Sequence, residues 1–184
     1  MKKPVIAAIG AGIIIIAAVV VVIMVMNGNK KTTDTSTKTT PSTSSQTSYK
    51  TVEACDVLTA TIGAQLAGSD ATTTPLPDTT TNSVNVSNCS YYSSSSKLSV
   101  GLLVRSPQDS TAADTNSSQF TSQPADAQSV SGYGTSAYWS PSYGQLNILS
   151  SNNTWYILSF GPLTPASRTL TQTEQFADLI KSNL

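Results

Sequence analysis

Ser94-Ser95-Ser96-Lys97 places a hydroxyl three residues ahead of an amine, the Ser-x-x-Lys spacing of penicillin-recognising enzymes. That chemistry needs the serine at the start of a helix and partner motifs such as Ser-Asp-Asn or Lys-Thr-Gly, and neither motif occurs in the chain. A serine run between two strand-like segments reads instead as a hairpin loop. The chain has no histidine, which excludes Ser-His-Asp and Cys-His catalysis and any His-ligated metal site. A carboxylate pair for glycoside hydrolysis would have to come from Asp70, Asp78, Asp109, Asp114 and Asp126, all in polar segments where solvated surface is the default. Those acids also lack the spacing of a calcium loop. The residues therefore nominate no catalytic group, no metal ligand and no cofactor.

Two further motifs have plain explanations. Gly132-Tyr133-Gly134 has the look of a potassium filter, but a filter needs pore helices and four subunits, whereas a turn leading into a strand accounts for both glycines. The formal glycosylation sequons beginning at Asn85, Asn88, Asn116 and Asn152 arise by chance in a chain so rich in Ser, Thr and Asn. One group of residues does suggest binding. Tyr133, Tyr138, Trp139, Tyr143, Trp155 and Tyr156 fall within 24 residues, and aromatic faces take up sugars and peptides well. The expected site is Tyr133, Tyr138, Trp139, Tyr143 and Trp155, with core packing as the competing use of the same rings.

The two cysteines are Cys55 and Cys89. No Cys-x-x-Cys and no nearby histidine favour a reactive thiolate, so a structural disulfide is expected. It would close a loop of about 35 residues, worth about 4 kcal/mol in the chain-entropy model.

These candidates lie on a chain of unequal parts. From Val5 to Met26 the sequence is uncharged and dense in Ile, Val and Ala; these 22 residues would make a helix of about 33 Å, enough for a hydrocarbon core of about 30 Å. Its end, Met24-Val25-Met26-Asn27-Gly28, has no small-x-small cleavage site, so an uncleaved anchor is favoured over a signal peptide. Lysines flank both sides and leave the positive-inside count near a tie. Two features break it, a short N-terminal stub with nothing that needs to remain outside and the cysteine pair, placing the N-terminus in the cytoplasm and the C-terminal part outside. Small residues four apart, Ala7 with Ala11 and Ala8 with Gly12, are ordinary in membrane helices and do not by themselves argue self-association.

Residues 27–50 hold 13 Ser or Thr, with Tyr49 the only hydrophobic side chain, and are expected to be a disordered linker with a mean span of about 25–30 Å. Charge changes sign at its end. Residues 1–50 carry six lysines against Asp34, a net of +5; residues 51–184 carry Lys97, Arg105, Arg168 and Lys181 against nine carboxylates, a net of −5. The basic part suits anionic headgroups, and the acidic part makes nucleic acid a poor partner.

Residues 51–184 are the right size for one core. Leu58, Ile62 and Leu66, with Thr59 as N-cap and Gly68 as stop, predict a short helix. Strands are expected at residues 89–93, at 98–105 from strict alternation, and at 137–139; a hairpin is expected from residues 145–149 and 154–160. The run Trp155-Tyr156-Ile157-Leu158 is apolar on both faces and should be central and covered. A weaker helix is expected at residues 112–120. A final one should start at a capping box, Thr171 with Glu174, and bury Phe176, Leu179 and Ile180. The order α-β-β-(α)-β-β-β-α gives an α+β domain with helices packed on an antiparallel sheet. The expected organisation is a stub at 1–4, a transmembrane helix at 5–26, the linker at 27–50 and the domain at 51–184.

Ala54-Cys55-Asp56-Val57-Leu58-Thr59, then Asn88-Cys89-Ser90-Tyr91, then Gly132-Tyr133-Gly134-Thr135-Ser136-Ala137-Tyr138-Trp139 resembles the extracytoplasmic domain of small actinobacterial surface lipoproteins, a family of unknown function. The resemblance implies a short opening helix, a Cys-x-aromatic strand, a Gly-x-Gly-x-x-Ala-aromatic strand, an apolar hairpin and a closing helix. This chain departs from it in having an anchor in place of a lipidated cysteine and Val57 at the first leucine. It supplies no site residues. The expected function is a non-catalytic bacterial cell-surface module with a cell-wall, glycan or protein ligand. The alternatives are a carboxylate-based envelope hydrolase and a minor pilin, the latter without the prepilin glycine and glutamate.

Overall fold

The computed structural model describes residues 48–73 and 76–184, and the expected stub at 1–4, the expected transmembrane helix at 5–26 and residues 27–47 of the expected linker lie outside them. Among the described residues no helix is long and apolar enough to cross a membrane. Two short helices, α1 (Ala54–Val57) and α2 (Ala60–Ala67), come first, followed by β1 (Thr72–Thr73), β2 (Thr79–Thr81), β3 (Val84–Tyr92) and β4 (Leu98–Pro107). Helix α3 (Ser110–Thr121) leads to β5 (Gln128–Val130), β6 (Ser136–Ser140), β7 (Gln145–Leu149), β8 (Trp155–Pro162) and α4 (Leu170–Ile180). All pairings are antiparallel. The sheet runs β1-β3-β4-β8-β7-β6-β5, with β2 beside β3 as well. The α+β architecture read from the sequence is the one observed.

Period-two alternation sets the two faces. Val100, Leu102 and Val104 of β4 pair with Phe160, Leu158 and Tyr156 of β8. Leu146 and Ile148 of β7 and Ala137 and Trp139 of β6 continue these rows. This first face carries the main core and is covered by α1, α2 and α4. Thr59 caps α2 by accepting from the Ile62 N–H, and Gly68 ends it at φ 128°, as their spacing predicts.

The disulfide joins Cys55 to Cys89 with Cα atoms 5.0 Å apart, fixing the start of α1 to β3. Two buried serines of the same face hold the segment leading into α1. Ser106 Oγ accepts from the Val52 N–H and Ser87 Oγ from the Ala54 N–H, each at 3.0 Å.

Three expectations need correction. Helix α4 starts two residues earlier than expected: its capping box is Thr169 with Gln172, because Leu170 packs on the core and must lie within the first turn. Its buried face is Thr173, Phe176, Ala177 and Ile180, and Leu179 is exposed, since it falls on the solvent side of that stripe. Strand β8 is central as expected, between β4 and β7, but only one of its faces is fully covered. Its other face lies on the side of α3, which is too short and too far to one end to cover it all.

Candidate functional site

The aromatic residues do not form one open face. Alternation sends Trp139 to the first face, into the main core at 4% exposure, and Tyr138 to the second, under α3 at 5%. There Phe120 of α3 packs on the Tyr138 ring at 5.0 Å and on the Trp155 ring at 5.7 Å. Tyr133 is buried beside α4. Its hydroxyl donates to Asp178 at 2.9 Å, and burial together with that carboxylate pushes its pKa up to about 12. Tyr143 alone of the five is exposed, at 47%, in the turn between β6 and β7. The five-residue binding site is therefore corrected: neighbouring strand positions point to opposite faces, so closeness in sequence does not bring these rings together.

The carboxylates mostly have structural partners. Asp70 accepts from Ser93 Oγ, Ser94 Oγ and both the N–H and Oγ of Ser95, which holds its carboxyl well below the usual range and clasps the β3–β4 turn. The Ser-x-x-Lys motif is that turn, with Lys97 at φ 61°. Asp109 caps α3 through the Ala112 N–H at 2.8 Å, and Asp126 holds the β6–β7 turn through the Ser142 N–H at 2.7 Å. These backbone bonds lower both pKa values. Asp114 is exposed on α3. Only Asp78 meets another carboxyl, that of Glu53, which sequence reasoning does not nominate; their hydrogen bond raises the Glu53 pKa, and both residues are exposed. Among the described residues no group of three His, Cys, Asp or Glu is placed to hold a metal ion.

Both glycines around Tyr133 have positive φ, 92° and 53°, and a Cβ on Gly134 would collide with the Leu149 carbonyl oxygen. The turn leading into β6 therefore explains them. A shallow pocket of about 340 Å³ opens beside this turn, with Lys181 5.2 Å above the Tyr133 ring.

The surface that no core residue explains is the second face of the sheet. Pairing places Ser90, Gly101 and Ser159 in one row across β3, β4 and β8. The next row is Asn88, Leu103, Ile157 and Asn147, and on the other side Tyr92 pairs with Ser99. Of these, all but Asn147 are half-buried rather than covered, although β4 and β8 are the centre of the sheet. The floor is low because its residues are small; a Cβ on Gly101 would stand only 3.0 Å from Ser159 Oγ.

Helix α3 closes one end of this face. There Arg105 lies 5.1 Å over the Trp155 ring and donates to Asn116 Oδ1 at 3.2 Å and to Gln119 Oε1. The Trp155 indole N–H donates to Asn147 Oδ1 at 3.1 Å, so its ring is fixed. The other end is closed by Arg168, which donates to Ser99 Oγ at 3.4 Å and to the Pro162 carbonyl at 2.9 Å. Its stem packs against Gly144 beside Tyr143, where a Cβ would come within 3.0 Å of Arg168 Cδ. The result is an open strip of hydroxyls, amides and apolar edges with a guanidinium at either end.

Sequence reasoning does not nominate this strip, although its signal lies in the clearest alternation of the chain, where Ser99, Gly101, Leu103 and Arg105 interleave with the core positions. Compared with known proteins, the chain matches no family model, no curated protein sequence and no solved structure.

Proposed function

We propose that this protein is a single-pass membrane protein that presents a small ligand-binding domain outside the cytoplasm, with the second face of the sheet as its binding surface. The uncharged run from Pro4 to Met26 supports the anchor, and the Cys55–Cys89 bridge supports an oxidising compartment. The shared order of short motifs with bacterial surface lipoproteins fits the same setting.

The observation that carries the binding reading is the half-open centre of the sheet. A small domain has little apolar surface to spare, and a half-open face across β3, β4 and β8 forgoes burial that a longer α3 would have supplied. Fixed rings, amide pairs and hydroxyls along it are the groups that orient a polar, extended ligand such as a glycan or an extended peptide.

The test is a screen of the full-length protein against an array of cell-envelope glycans and peptides, repeated with Ser90→Trp, which fills the floor of the strip, and with Leu179→Ser on the outer side of α4. Ligands lost with Ser90→Trp and kept with Leu179→Ser support the reading. Ligands kept by Ser90→Trp would place the site elsewhere.

A further inference from the structure

The second face differs from the rest of the domain in its charge. Residues 51–184 have a net charge of −5, yet the second-face positions of β3, β4, β8, β7 and β6 include no carboxylate, and the one that reaches this face through a hydrogen bond, Asp126, accepts from Ser140 Oγ at the far end of β6. They do include Arg105, and Arg168 reaches in over Ser99. Neither guanidinium meets a carboxylate among the hydrogen bonds of the described residues. Arg105 donates to the side-chain amides of Asn116 and Gln119, and Arg168 to the carbonyls of Pro162 and Leu163 and the hydroxyl of Ser99. Burial lowers both pKa values, with no opposing carboxylate to restore them. A partly buried charge is ordinarily paired, because desolvating it alone costs stability. Two such charges, one bordering each end of a half-open strip, are placed for an anion that arrives with the ligand.

Their spacing describes that ligand. Ser99 and Arg105 lie at the two ends of β4, about 20 Å apart along the strand. Between them lie the hydroxyls of Ser90 and Ser159, the amide of Asn88 and the apolar edges of Leu103 and Ile157. Such a track suits a hydroxyl-rich chain with anionic groups spaced along it, lying parallel to the strands.

Resting on the binding reading above, we infer that the second face takes an acidic polysaccharide, a glycan chain whose carboxylates pair with Arg105 and Arg168 while its sugar rings lie on the Ser90–Gly101–Ser159 floor.

The test is calorimetric titration of the full-length protein with an oligogalacturonate, with its methyl ester as the uncharged match, and with a single-stranded DNA oligonucleotide as a second anion. The acid form should bind at least tenfold more tightly than the ester, and should weaken as salt is raised. Asn88→Asp, an isosteric change that places a carboxylate on the strip, should weaken acid binding at least tenfold and leave the thermal melt unchanged. Ser159→Glu is the second variant and should act in the same direction, while Leu179→Ser should have no effect. Equal binding of acid and ester, both blocked by Ser90→Trp, would overturn the acidic class and leave the face as a binding site. Acid binding indifferent to Asn88→Asp and Ser159→Glu would overturn the placement. DNA binding as tight as the acid form would overturn the glycan assignment, and so would a failure of the acid form to bind.

Discussion

Gly63→Ala is expected to destabilise the domain, against the usual gain for that exchange in a helix. Gly63 is the fourth of eight residues in α2, where alanine should gain about 1 kcal/mol from lower backbone entropy. The tertiary structure opposes this. A Cβ there would lie 2.6, 2.7 and 2.9 Å from three ring atoms of Tyr91. That ring is buried, and its strand is paired on both sides, to Thr73 and to Val100, so it has no free direction to move. Overpacking costs about 1–3 kcal/mol, and three contacts inside the van der Waals limit point to the upper end. The net expectation is a loss of about 1–2 kcal/mol. Urea unfolding followed by circular dichroism should give a lower midpoint with an unchanged slope. The double variant Gly63→Ala with Tyr91→Leu, which removes the clashing ring, should show a favourable coupling between the two changes. A Gly63→Ala domain more stable than the parent by about 1 kcal/mol would refute the close packing of α2 on β3.

Two further predictions concern the whole fold. Non-reducing mass spectrometry should find no free thiol, and replacing Cys55 and Cys89 together by alanine should cost up to about 4 kcal/mol, from a bridge that spans a sequence separation of 34; alkylation of both residues without reductant or denaturant would disprove the bridge. Tyr133 and Tyr138 are pushed up to about 12 and Tyr156 is raised in the same direction, chiefly by burial. The unfolded chain releases those protons near pH 10 and the folded one later, so this contribution is complete below pH 10 and is lost as pH rises towards 12. The melting temperature should fall across that interval, while Tyr138→Phe should soften the fall; a flat profile between pH 10 and 12 would contradict the burial of these hydroxyls.

Much of the domain follows from its local sequence, and the exceptions have a common cause. Strict alternation at residues 98–105 specifies a strand and its core face, because a period of two leaves a strand only one way to bury Val100, Leu102 and Val104. Thr59 and Gly68 bound α2 through bonds made within a few residues, and the two cysteines have one pairing open to them. Strands β1, β2 and β5 are not legible: a run such as Thr79–Thr81 is wholly exposed and is a strand only because residues 84–86 pair with it. The start of α4 is ambiguous for a similar reason. Thr169 with Gln172 and Thr171 with Glu174 are equally good caps locally, and the packing of Leu170 chooses between them.

The candidate site belongs with the exceptions. Ser90, Gly101 and Ser159 are ordinary polar or small residues in their own strands, and Gly101 and Ser159 are 58 positions apart. They become one floor only through the register of β3, β4 and β8, which no single segment encodes. The aromatic cluster shows the converse. Tyr138 and Trp139 are adjacent in sequence, yet the pleat sends them into separate cores on opposite faces of the sheet. What the sequence by itself determines here is therefore what bonds within a few residues or a fixed period can specify: the apolar run at 5–26, the Ser/Thr-rich segment after it, the cap and stop of α2, and the core face of β4. Which face stays open, and which guanidiniums border it, is decided by tertiary structure alone, because strand pairing and the reach of α3 join residues from distant parts of the chain.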